Sequence, residues 1–360
     1  MELSQIFPIR ERCLYLDHAE EAPLPQPVVA AVARLLANFQ EEGFWDPRVR
    51  TLLENKVRAL VAQVLACQPT DVRLFPSTTA GLTALLAAVE LPGTTVFLAT
   101  EASDGHPFPV GQIERLGYSV TVLAPTSWQM LPSFLEKALP TQAVVVLPWV
   151  DATGWVGELE VWVPALKDRG CLVVLDAAQA VPCRPETFPE LEVDALLVPS
   201  HTWLLGPRGG IALVAGSEFR QRESFPPAPG QPTPKLLGLD RVSSVGEGIP
   251  PLVAAGWAAA LELLLLEGLV AVRNRVLAHQ RTLTAQLLAL GWEVGSPGAS
   301  HPVAGIVVAK HPFFPASEVQ RRLQLRHVRV GTYGDWVRFS PHFYTTVAEL
   351  AALEKILGTL

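Results

Sequence analysis

The chain has 360 residues, 49% of them apolar and 18% charged, with a formal net charge of −7. At about 100–200 residues per domain, that length suggests about two domains with a large buried core and excludes a disordered segment. The mild acidity, with no basic cluster anywhere, excludes a phosphate-neutralising nucleic-acid surface.

Residues 1–13 have no apolar h-region, so no signal peptide is expected. The cysteines, Cys13, Cys67, Cys171 and Cys183, lack CxxC spacing. They read as buried thiols in a reducing cytosol, and no metal is expected. Short apolar runs at 95–99, 143–147, 171–175, 195–198 and 211–215 alternate with helix-like stretches at 81–90, 109–116, 131–138 and 159–169. Strands that are apolar throughout are buried on both faces, the pattern of a mainly parallel sheet flanked by helices. Residues 217–241 hold Pro226, Pro227, Pro229, Pro232 and Pro234 and read as a loop.

A long helix over 251–290, broken near Gly268, comes next. Its apolar run, 254–272, contains Glu262 and Glu267. Two carboxylates at bilayer depth are costly, so it reads as a buried helix and not as a membrane span. The remainder reads as strand 304–309, helix 315–325, strands 328–330 and 336–340, and helix 346–357. That order predicts a large α/β domain over 15–245. A small α+β domain is expected from 1–14 and 246–360, including the long helix.

Ligands of parallel α/β sheets bind at the carboxyl ends of the strands. Four clusters carry chemistry suited to such a site. Phe75-Pro76-Ser77-Thr78-Thr79 leads from a strand into a helix, where hydroxyls and backbone N–H groups suit an anion or serve simply as an N-cap. Asp176-Ala177-Ala178-Gln179 closes the run at 171–175, with an Asp that either caps the turn or meets a ligand cation. Pro199-Ser200-His201-Thr202-Trp203 closes the next run. Arg338, within Trp336-Val337-Arg338-Phe339-Ser340, is either a bidentate carboxylate clamp or a solvated strand charge.

From Tyr15-Leu16-Asp17-His18-Ala19 to Arg338-Phe339-Ser340-Pro341-His342, these motifs in this order resemble the class V aminotransferases of the fold-type I pyridoxal-phosphate (PLP) enzymes. That family includes cysteine desulfurases and isopenicillin N epimerase-like proteins. The resemblance implies a mainly parallel seven-stranded-type sheet with a smaller domain. It implies that Thr78 or Thr79 and His201 hold the PLP phosphate, that Asp176 faces the pyridine nitrogen, that Gln179 lies near the phenolic oxygen, and that Arg338 receives a substrate carboxylate. It also implies a cytoplasmic homodimer with a small amino-acid-like or anionic ligand. The helix at 254–272, with Trp45 and Trp257, offers surface for the dimer to bury.

Several positions depart from the family pattern. The Schiff-base lysine falls at Thr202, which cannot form an imine or act as an amine base. The six lysines are Lys56, Lys137, Lys167, Lys235, Lys310 and Lys355; none is read at another strand end, and only Lys235 could swing toward the site. The ring platform falls within 101–107, where His106 stands off the aligned position. Asp151 replaces the Asn near the phenolic oxygen, Pro199 replaces a Ser, and Ile249 replaces the Thr that reaches a neighbouring subunit. No Cys precedes Arg338 in the position of a persulfide-forming residue. The expectation is therefore a family member that has lost lysine-dependent catalysis. Two alternatives are an active PLP or pyridoxamine-phosphate enzyme working without the lysine, and a structural subunit paired with an active paralogue.

Overall fold

The computed structural model describes residues 3–43, 46–89, 94–99, 110–123, 142–216, 248–296 and 304–360. Its helices are α1 (Leu3–Ile6), α2 (Gln26–Glu42), α3 (Pro47–Leu65), α4 (Thr78–Val89), α5 (Val110–Arg115), α6 (Leu159–Lys167), α7 (Pro251–Glu267), α8 (Leu269–Ala289), α9 (Ala316–Gln324) and α10 (Val347–Leu357). The strands of the first two thirds are β1 (Leu14–Leu16), β2 (Val72–Phe75), β3 (Thr95–Ala99), β4 (Ser119–Leu123), β5 (Val144–Pro148), β6 (Leu172–Asp176), β7 (Ala195–Pro199) and β8 (Ile211–Ala215). The last third adds β9 (Glu293–Val294), β10 (Val307–Lys310), β11 (Val328–Tyr333) and β12 (Trp336–Phe339).

The large sheet has seven strands in the order β2-β8-β7-β6-β5-β3-β4. All neighbours are parallel except β8, which runs against both β2 and β7. Both faces are buried, as the apolar runs require. On β6, Val173 and Leu175 join the core under α3 and α7, while Leu172 and Val174 join a second core with Leu82 and Leu85 of α4.

Two kinds of element escape the pattern of apolar runs. β4 is an edge strand with Val122 exposed, so its sequence alternates instead of running apolar. On α3, Glu54 and Arg58 are buried among Val57 and Val61, which breaks the apolar stripe that marks a core helix. The helix expected at 131–138 and the loop at 217–241 lie outside the described residues.

The long helix breaks as expected: Gly268, at φ +81°, separates α7 from α8, and the two axes bend by 83°. Among the described residues, no single helix is long and apolar enough to cross a membrane. α7 packs between α2, α3 and the sheet, and Ala254, Trp257, Ala258, Leu261 and Leu264 are all buried within the chain. The expected use of Trp257 as dimer surface is thereby corrected, because it is spent on the large domain's own core; in the run 254–272, Leu266 and Val270 are the large apolar side chains left exposed. Trp45 is not among the described residues.

The smaller sheet runs β1-β11-β12-β10-β9. β1 pairs in parallel with β11, so a domain boundary at residue 15 cuts a strand of the small sheet. α7 likewise belongs by packing with the large sheet, although the sequence division at 246 puts it with the small one. Cys171 and Cys183 are buried free thiols, whereas Cys13 and Cys67 are only half-buried.

A knot of aromatic and imidazole side chains fastens the two sheets together. The Tyr344 hydroxyl and His18 Nε2 are 2.7 Å apart, and His18 Nδ1 is 2.8 Å from the Ser340 carbonyl. Only a proton on Nδ1 satisfies that carbonyl, so Nε2 accepts from the tyrosine. His342 Nδ1 accepts from the Phe343 amide (2.9 Å), which leaves Nε2 to donate to the Trp203 carbonyl at 3.0 Å. Both rings are fully buried and neutral. Burial, with each ring near another imidazole, holds His18 well below the usual imidazole range and lowers His342 to about 4.

These groups set a pH dependence. The unfolded chain takes up protons on both rings below about pH 6.5 while the folded chain resists, so stability falls as pH drops through that value. Each ring costs about 1.4 kcal/mol per pH unit, until the pH reaches its folded-state value. Asp176, pushed up to about 6, works in the opposite sense by at most one proton. Denaturant unfolding followed from about pH 7 down to about pH 5 is expected to show falling stability, and His342→Gln should remove about one proton from that slope.

Candidate functional site

β2 and β7 both run against β8, so β2, β6 and β7 present their carboxyl ends at one edge of the sheet. That edge receives Ser77 and Thr78 after β2, Asp176 at the end of β6, and His201 and Thr202 after β7. The N-terminal segment is laid across it. The Ala22 amide donates to the His201 carbonyl (2.8 Å), and Gln179 Nε2 donates to the Ala19 carbonyl (2.9 Å). The Ala19 amide in turn donates to Ser340 Oγ (3.0 Å), in the segment that carries Arg338.

At the start of α4, Ser77 Oγ accepts from the Ala80 amide at 3.1 Å, so Ser77 acts as the cap. Thr78 and Thr79 follow on the partly exposed first turn. Asp176 Oδ1 accepts from the Ala178 amide (2.9 Å), and burial pushes its carboxyl up to about 6. Among the described residues it has no cationic partner. His201 Nδ1 is buried and has no hydrogen-bond partner among the described residues. Its imidazole is lowered by burial and by Arg208, against Glu21 and Glu20, which favour the charged form. A carboxylate without a cation and an imidazole nitrogen without a partner, beside a helix N-terminus, match a protonated ring nitrogen and an anionic phosphate. On these groups the site fits PLP.

At the position expected for the covalent anchor, Thr202 offers a hydroxyl and no amine. Thr202 is 5% exposed, and its hydroxyl donates to the Ala178 carbonyl at 2.9 Å. Lys56 pairs with Glu262 between α3 and α7, and Lys167 pairs with Asp194 at the amino edge of the sheet. Lys355 lies on α10. Lys310 closes a strand after all, contrary to the sequence reading. That strand is β10 of the small sheet, however, and its ammonium lies over Trp336, 4.4 Å from the ring centroid. Lys137, Lys235 and His106 fall outside the described residues.

Other expected contacts are also diverted. Both ends of the Gln179 amide are engaged, Nε2 with Ala19 and Oε1 with Trp203 Nε1 at 2.7 Å, so it serves as a brace between loops. Asp151 turns Oδ1 into its own loop, accepting from the Thr153 amide and hydroxyl and the Trp155 amide (2.7–2.8 Å). Ser200, next to Pro199, is buried and donates its hydroxyl to the Pro207 carbonyl. Ile249 is 2% exposed within this chain's own core, and its amide donates to Glu54 Oε1 (3.1 Å).

Arg338 is neither solvated nor a free clamp. It is 6% exposed and lies on the face of β12 opposite Val337 and Phe339, which fill the small core. Its Nη2 is 3.1 Å from Glu20 Oε2 and 3.9 Å from Asp17 Oδ1. Gly331 sits opposite it on β11, and a Cβ there would come within 2.5 Å of Asp17 Oδ1 and 3.3 Å of the guanidinium. Asp17 and Glu20 are the site residues that the sequence reading missed. The available signal was a run of carboxylates, Glu20-Glu21, directly after the Tyr15–Ala19 motif.

A cysteine desulfurase of Thermococcus onnurineus superposes with a TM-score of 0.79 at 20% identity, over 99% of this chain and 96% of that one. A mutant of C-DES with glycine covalently linked to its PLP cofactor superposes with a TM-score of 0.81 at 20% identity, over 99% and 98%. These likenesses show the fold, which is fold-type I. In sequence, a probable cysteine desulfurase of Aeropyrum pernix is 28% identical over 80% of this chain and 75% of its own length. The model of the family described as aminotransferase class-V matches residues 14–309, most of the chain, and this protein therefore belongs to the class V aminotransferase family.

Proposed function

We propose that this chain is a class V aminotransferase-family protein that does not run lysine-dependent PLP catalysis, and that it retains the pocket as a non-covalent site for PLP or a related anionic ligand. The observation that carries this reading is Thr202: at the family's lysine position stands a buried hydroxyl already bonded to Ala178. PLP, when bound, supplies an electron sink. Asp176 would hold the proton of the ring nitrogen, and His201 with the first turn of α4 would receive the phosphate. Arg338 would receive a ligand carboxylate. The absence of an amine leaves no group at Thr202 to link the cofactor or to move a proton at the ligand's α-carbon.

A second reading is an active PLP or pyridoxamine-phosphate enzyme working without the lysine. What bears on it is the lysine-to-alanine mutant of C-DES, whose structure carries glycine linked to its PLP, so that such a fold holds a cofactor adduct in the absence of that lysine. Borohydride treatment separates catalysis through a lysine from both readings. The protein incubated with PLP and reduced is expected to gain no mass, and the purified protein to be largely colourless. Pro199 and Ile249 remove two donors, each worth about 1.5–3 kcal/mol to a charged group, which weakens cofactor retention several hundred-fold or more. Thr202→Lys should yield, at most, a weak visible band and a reducible adduct. PLP fixed onto Lys235 or any other native lysine overturns the proposal.

We also propose a cytosolic homodimer. Val29 and Leu36 of α2 and Leu52 of α3 are apolar side chains left exposed on one chain. Light scattering at micromolar concentration should give twice the chain mass of 39.0 kDa. A monomer overturns the assignment, and a complex isolated with a second, lysine-bearing chain supports the paired-subunit alternative instead.

A further inference from the structure

The carboxylate position on Arg338 is already taken by a residue of the same chain. The two carboxylates at this guanidinium differ in kind. Asp17 is fixed: its side chain is 4% exposed, its backbone bridges Ser340, and it stands 3.9 Å away. Glu20 is closer, at 3.1 Å, but its side chain is 64% exposed and rests on Arg338 from the solvent side. The backbone around it is held on both sides, at Ala19 by Gln179 and at Ala22 by the His201 carbonyl. Its charge is also felt at His201. Glu20 therefore reaches Arg338 from a segment pinned between the loops that carry Asp176 and His201. The guanidinium still has capacity, since the buried Arg338 Nε has no hydrogen-bond partner among the described residues. A ligand carboxylate could engage both Nε and the nitrogen released by Glu20, the bidentate arrangement that a single side-chain oxygen does not satisfy.

We propose that Glu20 is a specificity-determining residue, an internal carboxylate that competes for Arg338, so that the site admits small monocarboxylates only by displacing it. The proposal rests on the reading of Arg338 as the ligand-carboxylate receiver, and its test is independent of PLP. Sodium propanoate, which has no amine, is titrated into the cofactor-free protein near neutral pH and followed by ligand-observed NMR. An ion pair with one exposed partner is a weak competitor, so Glu20→Gln is expected to tighten propanoate about three- to tenfold. Glu20→Ala should match it, whereas Glu262→Gln, at a remote exposed pair with Lys56, should not change the affinity. Arg338→Gln should abolish the binding.

Glu20 is exposed, so its variants are expected to keep the wild-type unfolding midpoint. Affinity in Glu20→Gln equal to or weaker than wild type, no propanoate binding in that variant, or binding that survives in a folded Arg338→Gln protein each overturn the proposal. Cofactor retention and borohydride fixation report on Thr202 and Asp176 instead. The failure of one reading is thus distinct from the failure of the other.

Discussion

The arrangement of the cleft depends on how residues 17–22 are held across the carboxyl edge of the large sheet. Three backbone-level ties do this: Ala22 to the His201 carbonyl, Gln179 to the Ala19 carbonyl, and the Asp17–Ser340 bridge. The first two tie the large sheet's loops to the segment, and the third ties the segment to the small sheet, which it enters through β1 a few residues earlier. Because the paired groups are buried, leaving any of them unmade would cost about 1–3 kcal/mol. The cost is paid by position, not by bulk: the segment is short and polar, and its place is set by where its hydrogen bonds can be met. His18, in the middle of it, adds the neutral imidazole chain to Tyr344 and Ser340, so the small sheet cannot shift without breaking a buried polar network.

The same principle explains how Thr202 is accommodated just after β7, the position proposed to correspond to the family's lysine. A buried hydroxyl is tolerated only when bonded, and the Ala178 carbonyl supplies the acceptor. Trp203 then fills the space beneath and donates to Gln179, whose other end holds Ala19. Thr202, Trp203 and Gln179 thus form one satisfied set. A lysine at 202 would remove the hydroxyl that now donates to the Ala178 carbonyl. Thr202 is therefore built into the packing around it, through bonds that extend beyond its own side chain.

The core strands were legible because burial on both faces leaves one readable signature, the short continuous apolar run. β8 at 211–215 was placed to the residue, and β3 at 95–99 likewise. The edge strand β4 and the helix α3 were not, since one alternates and the other buries Glu54 and Arg58 on its inner face. Asp176 and His201 were legible for a different reason, because a strand's end fixes where its next residues stand. The partners of Arg338 were not legible. Glu20 is 318 positions away along the chain, and the folded pairing of β1 with β11, continued by the Asp17–Ser340 bridge beside β12, brings the two together. Hydropathy says nothing about such a contact, and a charged residue on a short strand reads equally well as solvated.

Charge balance around the cleft follows from these placements. Among the described residues Asp176 has no cationic partner, while Arg338 has Glu20 and Asp17 within reach, the latter shared with Arg329. His201 is held neutral by burial and by Arg208, although Glu20 and Glu21 favour its charged form. The pocket therefore presents an unmet demand for positive charge near β6 and a screened arginine near β12. A ligand that carries a protonated nitrogen toward Asp176 and a carboxylate toward Arg338 meets both conditions. A bare monocarboxylate meets only the second condition, and only by displacing Glu20 from the arginine. That asymmetry distinguishes this cleft from a general anion site and follows from one segment, 17–22, placing its acidic residues where the cations are.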